Sequence, residues 1–426
     1  MRAYNFYFDE SSHDFRISNK TILDSEDYSD SYVGMFIGIP KTNISVISQY
    51  SVIEKYYKSM FVKSGELKGT KIKNIKSTTP KEYFSGKETF IDGVASFDNH
   101  VTKFYSDFFS IFTNDLVMQL CIVSKFEQNL MSCLDISKIE TQISMDLKLS
   151  MSRVDSTLMT EVFLYSLVKF FYTYRNSETF EKLYDSKIPK SSKVNALHSL
   201  LNSVLSNSYD VERKNVEVEV IPRIKQILTK DNLRVKLDNR FNHDMVIDGF
   251  RELLKENRIN PKNIDMFPDK SSGIDFTIEK YNYFQECDSK NSLEVRIADV
   301  FSSFVSRIIF AIRNTTEENW GTQESLENFA DLKNLPESWF HLNKNQFLLY
   351  LKISNIFQDR ENISWFTHTG LYFDDGVWFI SIIKYFSQYS TFDEYSRLTP
   401  KEHERKAAQY TVSYLQKSYN QRGWQV

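Results

Sequence analysis

Four acidic residues occupy positions at which a folded sheet gathers side chains from distant parts of a chain. Asp9 ends a predicted strand, and Glu66 follows a predicted helix. Asp238 ends another predicted strand, and Asp299 lies in the opening turns of a helix. Phosphodiester hydrolysis by two metal ions requires oxygen ligands that hold divalent cations about 4 Å apart, one activating water and one stabilising the leaving oxygen. The set therefore predicts the catalytic, metal-binding carboxylates of a Mg²⁺- or Mn²⁺-dependent nuclease.

Taken singly, each acid also has an ordinary structural explanation. Asp9 is suited to capping the turn after its strand, and Glu66 lies among lysines that would pair with it at a surface. Asp238 could cap the entry to a helix, and an acid in the first turn of a helix, such as Asp299, is favoured by the helix dipole. The order of the four acids along the chain is therefore the informative part.

Contacts to phosphate require a local positive patch, because the chain carries 53 Lys and Arg against 56 Asp and Glu, a net charge of -3. Overall charge therefore excludes a polycation that holds nucleic acid non-specifically. A lysine-rich stretch at 63–81 supplies such a patch, although a solvated loop explains it equally well. The residues predicted to contact substrate are Lys68, Lys71, Lys73, Ser289 and Lys290.

The elements that would position these residues follow from the spacing of apolar side chains. Strands are predicted at about 3–9, 32–40, 115–124, 232–238 and 281–287. Helices are predicted at about 48–62, 97–112, 244–256, 295–313 and 400–421. The first strand alternates, with Tyr4, Phe6 and Phe8 on one face and Asp9 on the other. The segment 371–379 predicts a hairpin that turns at Asp375-Gly376.

The helix that carries Asp299 combines a buried stripe with small residues. Its predicted core positions are Ile297, Ala298, Phe301, Phe304, Val305 and Ile308. Asp299 falls at the margin of this stripe beside Ser302, Ser303 and Ser306. Small neighbours would let the helix lie close to a sheet with the carboxylate pointing into a cleft.

Length and composition favour several regions built mainly from helices. A chain of 426 residues exceeds one ordinary core, and 41% hydrophobic residues with only 12 Gly and 8 Pro favour long packed elements. We predict a core at 1–125 and 231–313, a helical insertion at 126–230 and a mostly helical C-terminal accessory region at 314–426.

Several other classes of protein are disfavoured. Three widely spaced cysteines, Cys121, Cys133 and Cys287, favour neither a disulfide framework nor a zinc module. There is no Walker A motif, GxGxxG or HExxH, and no apolar run of membrane-spanning length. With no secretory leader in the sequence, a cytoplasmic protein without membrane association is expected.

The motifs as a set resemble a bacterial RNase H-like family of unknown function. The family opens with Asp-Glu-Ser-Gly and closes with a Gln-x-Ala-Asp helix. The matching segments are Asp9-Glu10-Ser11, Glu66-Leu67-Lys68, Val235-Lys-Leu-Asp238 and Arg296-Ile-Ala-Asp299, within about 1–125 and 230–313. The resemblance implies an α/β fold with an RNase H-like mixed sheet flanked by helices, and a two-metal site at Asp9, Glu66, Asp238 and Asp299.

The chain departs from the family pattern in places. Ser12 stands where the family has Gly, and Arg296 replaces Gln. The helical stretch at 126–230 is longer than the family implies. Near Asp238, Asp244 and Asp248 are possible substitutes for it.

Two alternatives to a nuclease stay open at this stage. An RNase H-like core can bind nucleic acid or a protein without cutting, because a fold does not determine function. Alternatively, the helical regions serve as a scaffold that binds a protein partner or a second copy of the chain. Family context would place such an assembly in bacterial antiviral defence.

Overall fold

The computed structural model places strands and helices over most of the chain. It describes residues 3–11, 29–43, 45–75, 90–113, 115–150, 156–173, 177–185, 187–207, 221–222, 224–234, 243–270, 272, 274–276, 280–318, 335–357 and 364–422. None of the helices in these segments is long and apolar enough to cross a membrane.

One mixed sheet of six strands organises the described residues. The strands are β1 Tyr4–Ser11, β2 Ser31–Pro40, β3 Val117–Ser124, β4 Ile264–Pro268, β5 Tyr283–Phe284 and β6 Ser364–Thr369. They lie in the order β5-β4-β1-β2-β3-β6. β1, β2 and β3 pair antiparallel, whereas β4 is parallel to both β1 and β5, and β6 is parallel to β3. The α/β class with a mixed sheet flanked by helices is therefore confirmed.

Thirteen α-helices are assigned within the described segments. They are α1 Ser45–Phe61, α2 Asn99–Phe109, α3 Lys125–Ser132, α4 Ile136–Ser150, α5 Ser156–Thr173, α6 Ser177–Tyr184, α7 Lys190–Asn207, α8 Asp244–Glu256, α9 Leu293–Glu318, α10 Lys344–Ile356, α11 Asp374–Phe386, α12 Phe392–Tyr395 and α13 Pro400–Gln421.

β1 separates two hydrophobic layers because its side chains alternate. Phe6 and Phe8 pack with α8, and the ring of Phe6 meets that of Phe250 edge to face at 5.0 Å. Tyr7 points into the opposite layer, which contains α1, α2 and α9. Every residue of the neighbouring β2 is buried. The predicted alternation of β1 and burial of β2 are both confirmed, and the side chain of Asp9 shares the face of Tyr7.

α9 is the long helix that crosses this sheet. It runs for 26 residues and contacts β1, β2 and α11. The six predicted core positions are all buried, as are Ser302, Ser303 and Ser306. Buried serines on the Asp299 side leave room for another segment to approach the helix closely.

The described residues of the region at 126–230 are mostly helical, and their buried apolar side chains form a separate hydrophobic cluster. α3 to α7 supply most of that cluster. Leu233, which follows the region, packs into it and pairs with Leu134 through an isolated antiparallel bridge. The region therefore returns the chain close to the point where it leaves the sheet.

One prediction was wrong, one lies largely outside the described residues, and two strands were missed. The predicted strand at 232–238 begins as a 3₁₀ helix at Lys230–Asn232, and residues 235–242 lie outside the described residues. The predicted hairpin at Asp375-Gly376 is the first turn of α11, whose apolar residues recur at helical spacing and are buried on several sides. β4 and β6 were not predicted because each is only five or six residues long.

Glu127, in the first turn of α3, holds the segment after β6 through hydrogen bonds. Its two carboxylate oxygens accept hydrogen bonds from the amides of Leu371 and Tyr372 at 2.9 and 2.8 Å. A Cβ added to Gly370 would lie 2.3 Å from Glu127 Oε2, so the backbone approaches this carboxylate closely. Burial raises the pKa of Glu127 from its ordinary value of 4.5 to about 7, against these hydrogen bonds, which lower it.

This carboxyl should make stability depend on pH. Between pH 4.5 and 7 the folded protein holds a proton on Glu127 that the unfolded chain has lost. The free energy of unfolding contributed by this group therefore falls as pH rises through that window, by about 3 kcal/mol in all. Denaturant unfolding of the wild type and Glu127→Gln at pH 4.5 and pH 8 measures it. The wild type should lose stability relative to the variant at the higher pH, and parallel curves would contradict the assignment.

Candidate functional site

Asp9 lies at the carboxyl end of β1 and is almost completely buried. One oxygen of its carboxylate, Oδ1, accepts a hydrogen bond from the backbone amide of Glu10 at 2.8 Å. Burial raises the pKa of Asp9 well above its ordinary value, and the negative charges of Asp299, Glu10 and Asp269 raise it further. Asp9 therefore lies among carboxylates that oppose its ionisation.

Asp299 faces this group from the second turn of α9. Its Oδ2 accepts a hydrogen bond from the amide of Gly69 at 2.8 Å, and Ser303 Oγ lies 3.4 Å from its Oδ1. Burial raises the pKa of Asp299, although the hydrogen bond from Gly69 and the charge of Lys68 lower it. The margin position predicted for Asp299 thus brings its carboxylate to the loop that follows α1.

Glu66 belongs to the same loop and is partly buried. Its Oε1 lies 3.1 Å from Lys68 Nζ. Its Oε2 is buried and has no hydrogen-bond partner among the described residues. Burial alone would lower the pKa of Lys68, but the carboxylates of Glu66, Asp299 and Asp9 together raise it. Three of the four predicted acids therefore share one electrostatic environment.

The fourth predicted acid, Asp238, lies outside the described residues. Of its possible substitutes, Asp248 pairs with Arg251 at 2.8 Å on the exposed face of α8. Asp244 begins the same helix, which packs against the opposite face of β1 from Asp9. Neither substitute joins the group around Asp9.

Asp269 is an acid of this group that the sequence analysis missed. It follows β4 directly, and its amide donates to the carbonyl of Phe8 at 2.9 Å. Its carboxylate is buried and accepts a hydrogen bond from the amide of Ser289 at 3.2 Å. Parallel pairing of β4 with β1 places it beside Asp9. Burial of Ile264, Met266 and Pro268 alternates along β4, and this weak alternation ending in an acid was the available signal.

A charged cleft opens beside the acids. Its cavity volume is about 580 Å³. It is lined by Glu54, Lys58, Ser64, Gly65, Glu66, Lys68, Lys71, Lys290 and Arg296. Three of the predicted substrate residues, Lys68, Lys71 and Lys290, belong to this lining. Lys73 is exposed outside it, and Ser289 is buried, with its backbone bonded to Asp269.

Arg296 forms one wall of this cleft together with Glu54. Its Nη2 and Nε lie 3.0 and 3.1 Å from Glu54 Oε2. Its Nη1 also donates to the carbonyl of Ser289. Because both side chains of this ion pair are buried, the charges of Glu54 and Arg296 compensate each other within the wall.

The chemistry of the acids suits a hard divalent cation. Asp9, Glu66, Asp269 and Asp299 offer only carboxylate oxygens, which Mg²⁺ and Mn²⁺ prefer. A cation would compensate the repulsion between Asp9 and Asp299, and it would offer a partner to Oε2 of Glu66, which is buried without a hydrogen-bond partner among the described residues. Among the described residues, no three acid, imidazole or thiol groups lie close enough together to coordinate one metal ion.

Comparisons with protein family models, with curated proteins and with solved structures found no significant match to this chain.

Gly69 allows the loop to reach Asp299. A Cβ added to Gly69 would lie 2.5 Å from Ser303 Cβ and 2.9 Å from the carbonyl oxygen of Asp299. Contacts this short force atoms to move. Glycine at 69 and a small residue at 303 are therefore needed for the hydrogen bond between Gly69 and Asp299.

We predict that Gly69→Ala displaces the loop and weakens cation binding. Overpacking of this kind costs about 1–3 kcal/mol, and loss of the Gly69 hydrogen bond leaves Asp299 unrestrained. Thermal unfolding and calorimetric titration with Mn²⁺ would measure both effects. Ser303→Gly in the same chain should restore part of each loss, because it removes the closer contact. Thr70→Ala, at an exposed neighbour, is the control. A Gly69→Ala protein identical to wild type in both measurements would contradict this packing.

Proposed function

We propose that this protein is a divalent-cation-dependent nuclease that hydrolyses phosphodiester bonds of RNA or DNA. One observation carries the proposal: Asp9, Glu66 and Asp299, which are far apart in sequence, meet in one buried acidic environment. Burying like charges beside one another is unfavourable unless a cation or protons compensate them. Such perturbed groups in a cleft are typical of functional sites.

The sheet supports an RNase H-like interpretation of the fold. Three antiparallel strands, β1 to β3, continue into the parallel strands β4 and β5. Asp9 lies two residues before the end of β1, Asp269 follows the adjacent parallel strand β4, and α9 brings Asp299 over the same end of the two strands. This is a mixed sheet with its acids at one edge, as the resemblance in the sequence implies.

Asp9, Glu66 and Asp299, with Asp269 beside them, are the residues that would hold Mg²⁺ or Mn²⁺. Bound in a pair, such ions supply activation of water and stabilisation of the leaving oxygen. The hydrogen bond from Gly69 orients Asp299, and that from Ser289 orients Asp269. Lys68, with its Nζ beside Glu66, would neutralise a phosphate oxygen at the entrance.

The test is cleavage of a mixed panel of RNA and DNA. We expect cleavage with Mg²⁺ or Mn²⁺, none in EDTA, and a loss of at least about 100-fold in Asp9→Asn, Glu66→Gln and Asp299→Asn, because each removes a charged ligand. Asp248→Asn, an exposed acid on α8, is the matched control and should keep wild-type activity. Calorimetry should show that Mn²⁺ binding is lost with activity.

Two outcomes would overturn the proposal. The first is a folded wild type that cleaves nothing with any divalent cation and does not bind Mn²⁺. The second is cleavage that survives in Asp9→Asn and Asp299→Asn, because the active site would then lie elsewhere.

The fourth carboxylate can be assigned by a direct comparison. We expect Asp269→Asn to lower cleavage by about 10–100-fold, since loss of a charge at the ligand group weakens the metal site. Asp238→Asn measured in parallel tests the residue predicted from the sequence. If Asp238→Asn is inactive while Asp269→Asn has wild-type activity, Asp238 is the fourth ligand and Asp269 has only a structural role beside β1.

A further inference from the structure

The cleft beside the acids carries an excess of positive charge. Of its charged lining residues, Arg296 pairs with Glu54 and Lys68 pairs with Glu66. The remaining cations are Lys58, Lys71 and Lys290. Among the described residues, none of these three lysines has a carboxylate within ion-pair distance. The described residues therefore leave the ammonium groups of these three lysines uncompensated.

These three lysines come from different elements. Lys58 lies in the last turn of α1, Lys71 in the 3₁₀ helix Gly69–Lys71, and Lys290 in the segment before α9. Each is partly or largely exposed, so its charge remains available to a ligand. Charges around one cavity can contact several anionic groups of a single ligand, and a flexible lysine meets phosphate as a point charge.

The lining also lacks the groups that recognise bases. None of its nine residues is aromatic, although binding of unpaired bases commonly uses aromatic stacking. Its uncharged members, Ser64 and Gly65, offer little for reading the edge of a base. A volume of about 580 Å³ is that of a site for a small organic ligand. A cavity of this volume matches a short stretch of one strand better than the same stretch of a duplex.

We infer that the cleft binds single-stranded nucleic acid through about three backbone phosphates, contacted by Lys58, Lys71 and Lys290, without reading base sequence. This inference rests on the proposed function and deepens it. The nucleic-acid strand binds to the cleft through its phosphates, and the phosphodiester next to Lys68 lies closest to the acids. Cutting by such a site is independent of sequence.

Binding is measured with the full wild-type chain in EDTA, where the proposed hydrolysis cannot proceed. The probes are fluorescein-labelled single strands of two unrelated sequences and the corresponding duplex. Three phosphate contacts to a single strand predict that affinity falls about 18-fold between about 50 and 200 mM salt, and two contacts predict about 7-fold. We expect each single variant, Lys58→Gln, Lys71→Gln or Lys290→Gln, to reduce this loss of affinity from about 18-fold to about 7-fold. The matched control is Lys55→Gln on α1, which is exposed and outside the lining.

The outcomes separate this inference from the proposed function. Equal affinity for the two sequences, weaker binding of the duplex and the salt dependence above support it. A preference for duplex, a tenfold preference for one sequence, or variants with unchanged salt dependence would overturn it, as would inorganic polyphosphate that competes as well as a strand of equal charge. Failure of the proposed function would instead appear as this binding without cleavage in Mg²⁺.

Discussion

The repulsion between carboxylates held close together out of water is the constraint on which this structure depends. Asp299, Glu10 and Asp269 raise the cost of ionising Asp9, and Glu66 raises that of Asp299. Packing does not explain this arrangement, because apolar residues in place of the buried acids would often stabilise a fold equally well or better. The surrounding elements form a frame that holds the acids together, and in the proposed nuclease a cation would compensate them.

The frame holds the group from two directions. Parallel pairing of β4 with β1 fixes Asp269 beside Asp9, while α9 brings Asp299 across the sheet. The loop after α1 closes on α9 at Gly69 and Ser303, where only small residues fit. Glu66 and Lys68 belong to that loop, so the packing of one glycine links the acids to the basic wall of the cleft.

Acidic and basic side chains thus lie close together at the carboxyl ends of β1 and β4, and they have different roles in the proposed nuclease. Asp9 and Asp269 are buried, Glu66 and Asp299 are partly buried, and backbone amides orient Asp299 and Asp269, whereas the lysines of the cleft stay in contact with solvent. Buried carboxylates suit fixed coordination of a hard cation, and exposed lysines suit a mobile polyanion. The small net charge of the whole chain conceals this local separation.

The sequence by itself determined the elements whose burial has a clear period. β1, β2, α8 and α13 follow from alternating or helical spacing of apolar residues, and so does the margin position of Asp299. Only the tertiary structure decided that β4 enters the sheet beside β1 and that 374–386 forms a helix rather than a hairpin. For the same reason, neither the position of Asp269 nor the close contact between Gly69 and Ser303 could be predicted from the sequence. Short strands and close approaches gain their stability from partners distant in sequence, so local patterns carry little trace of them.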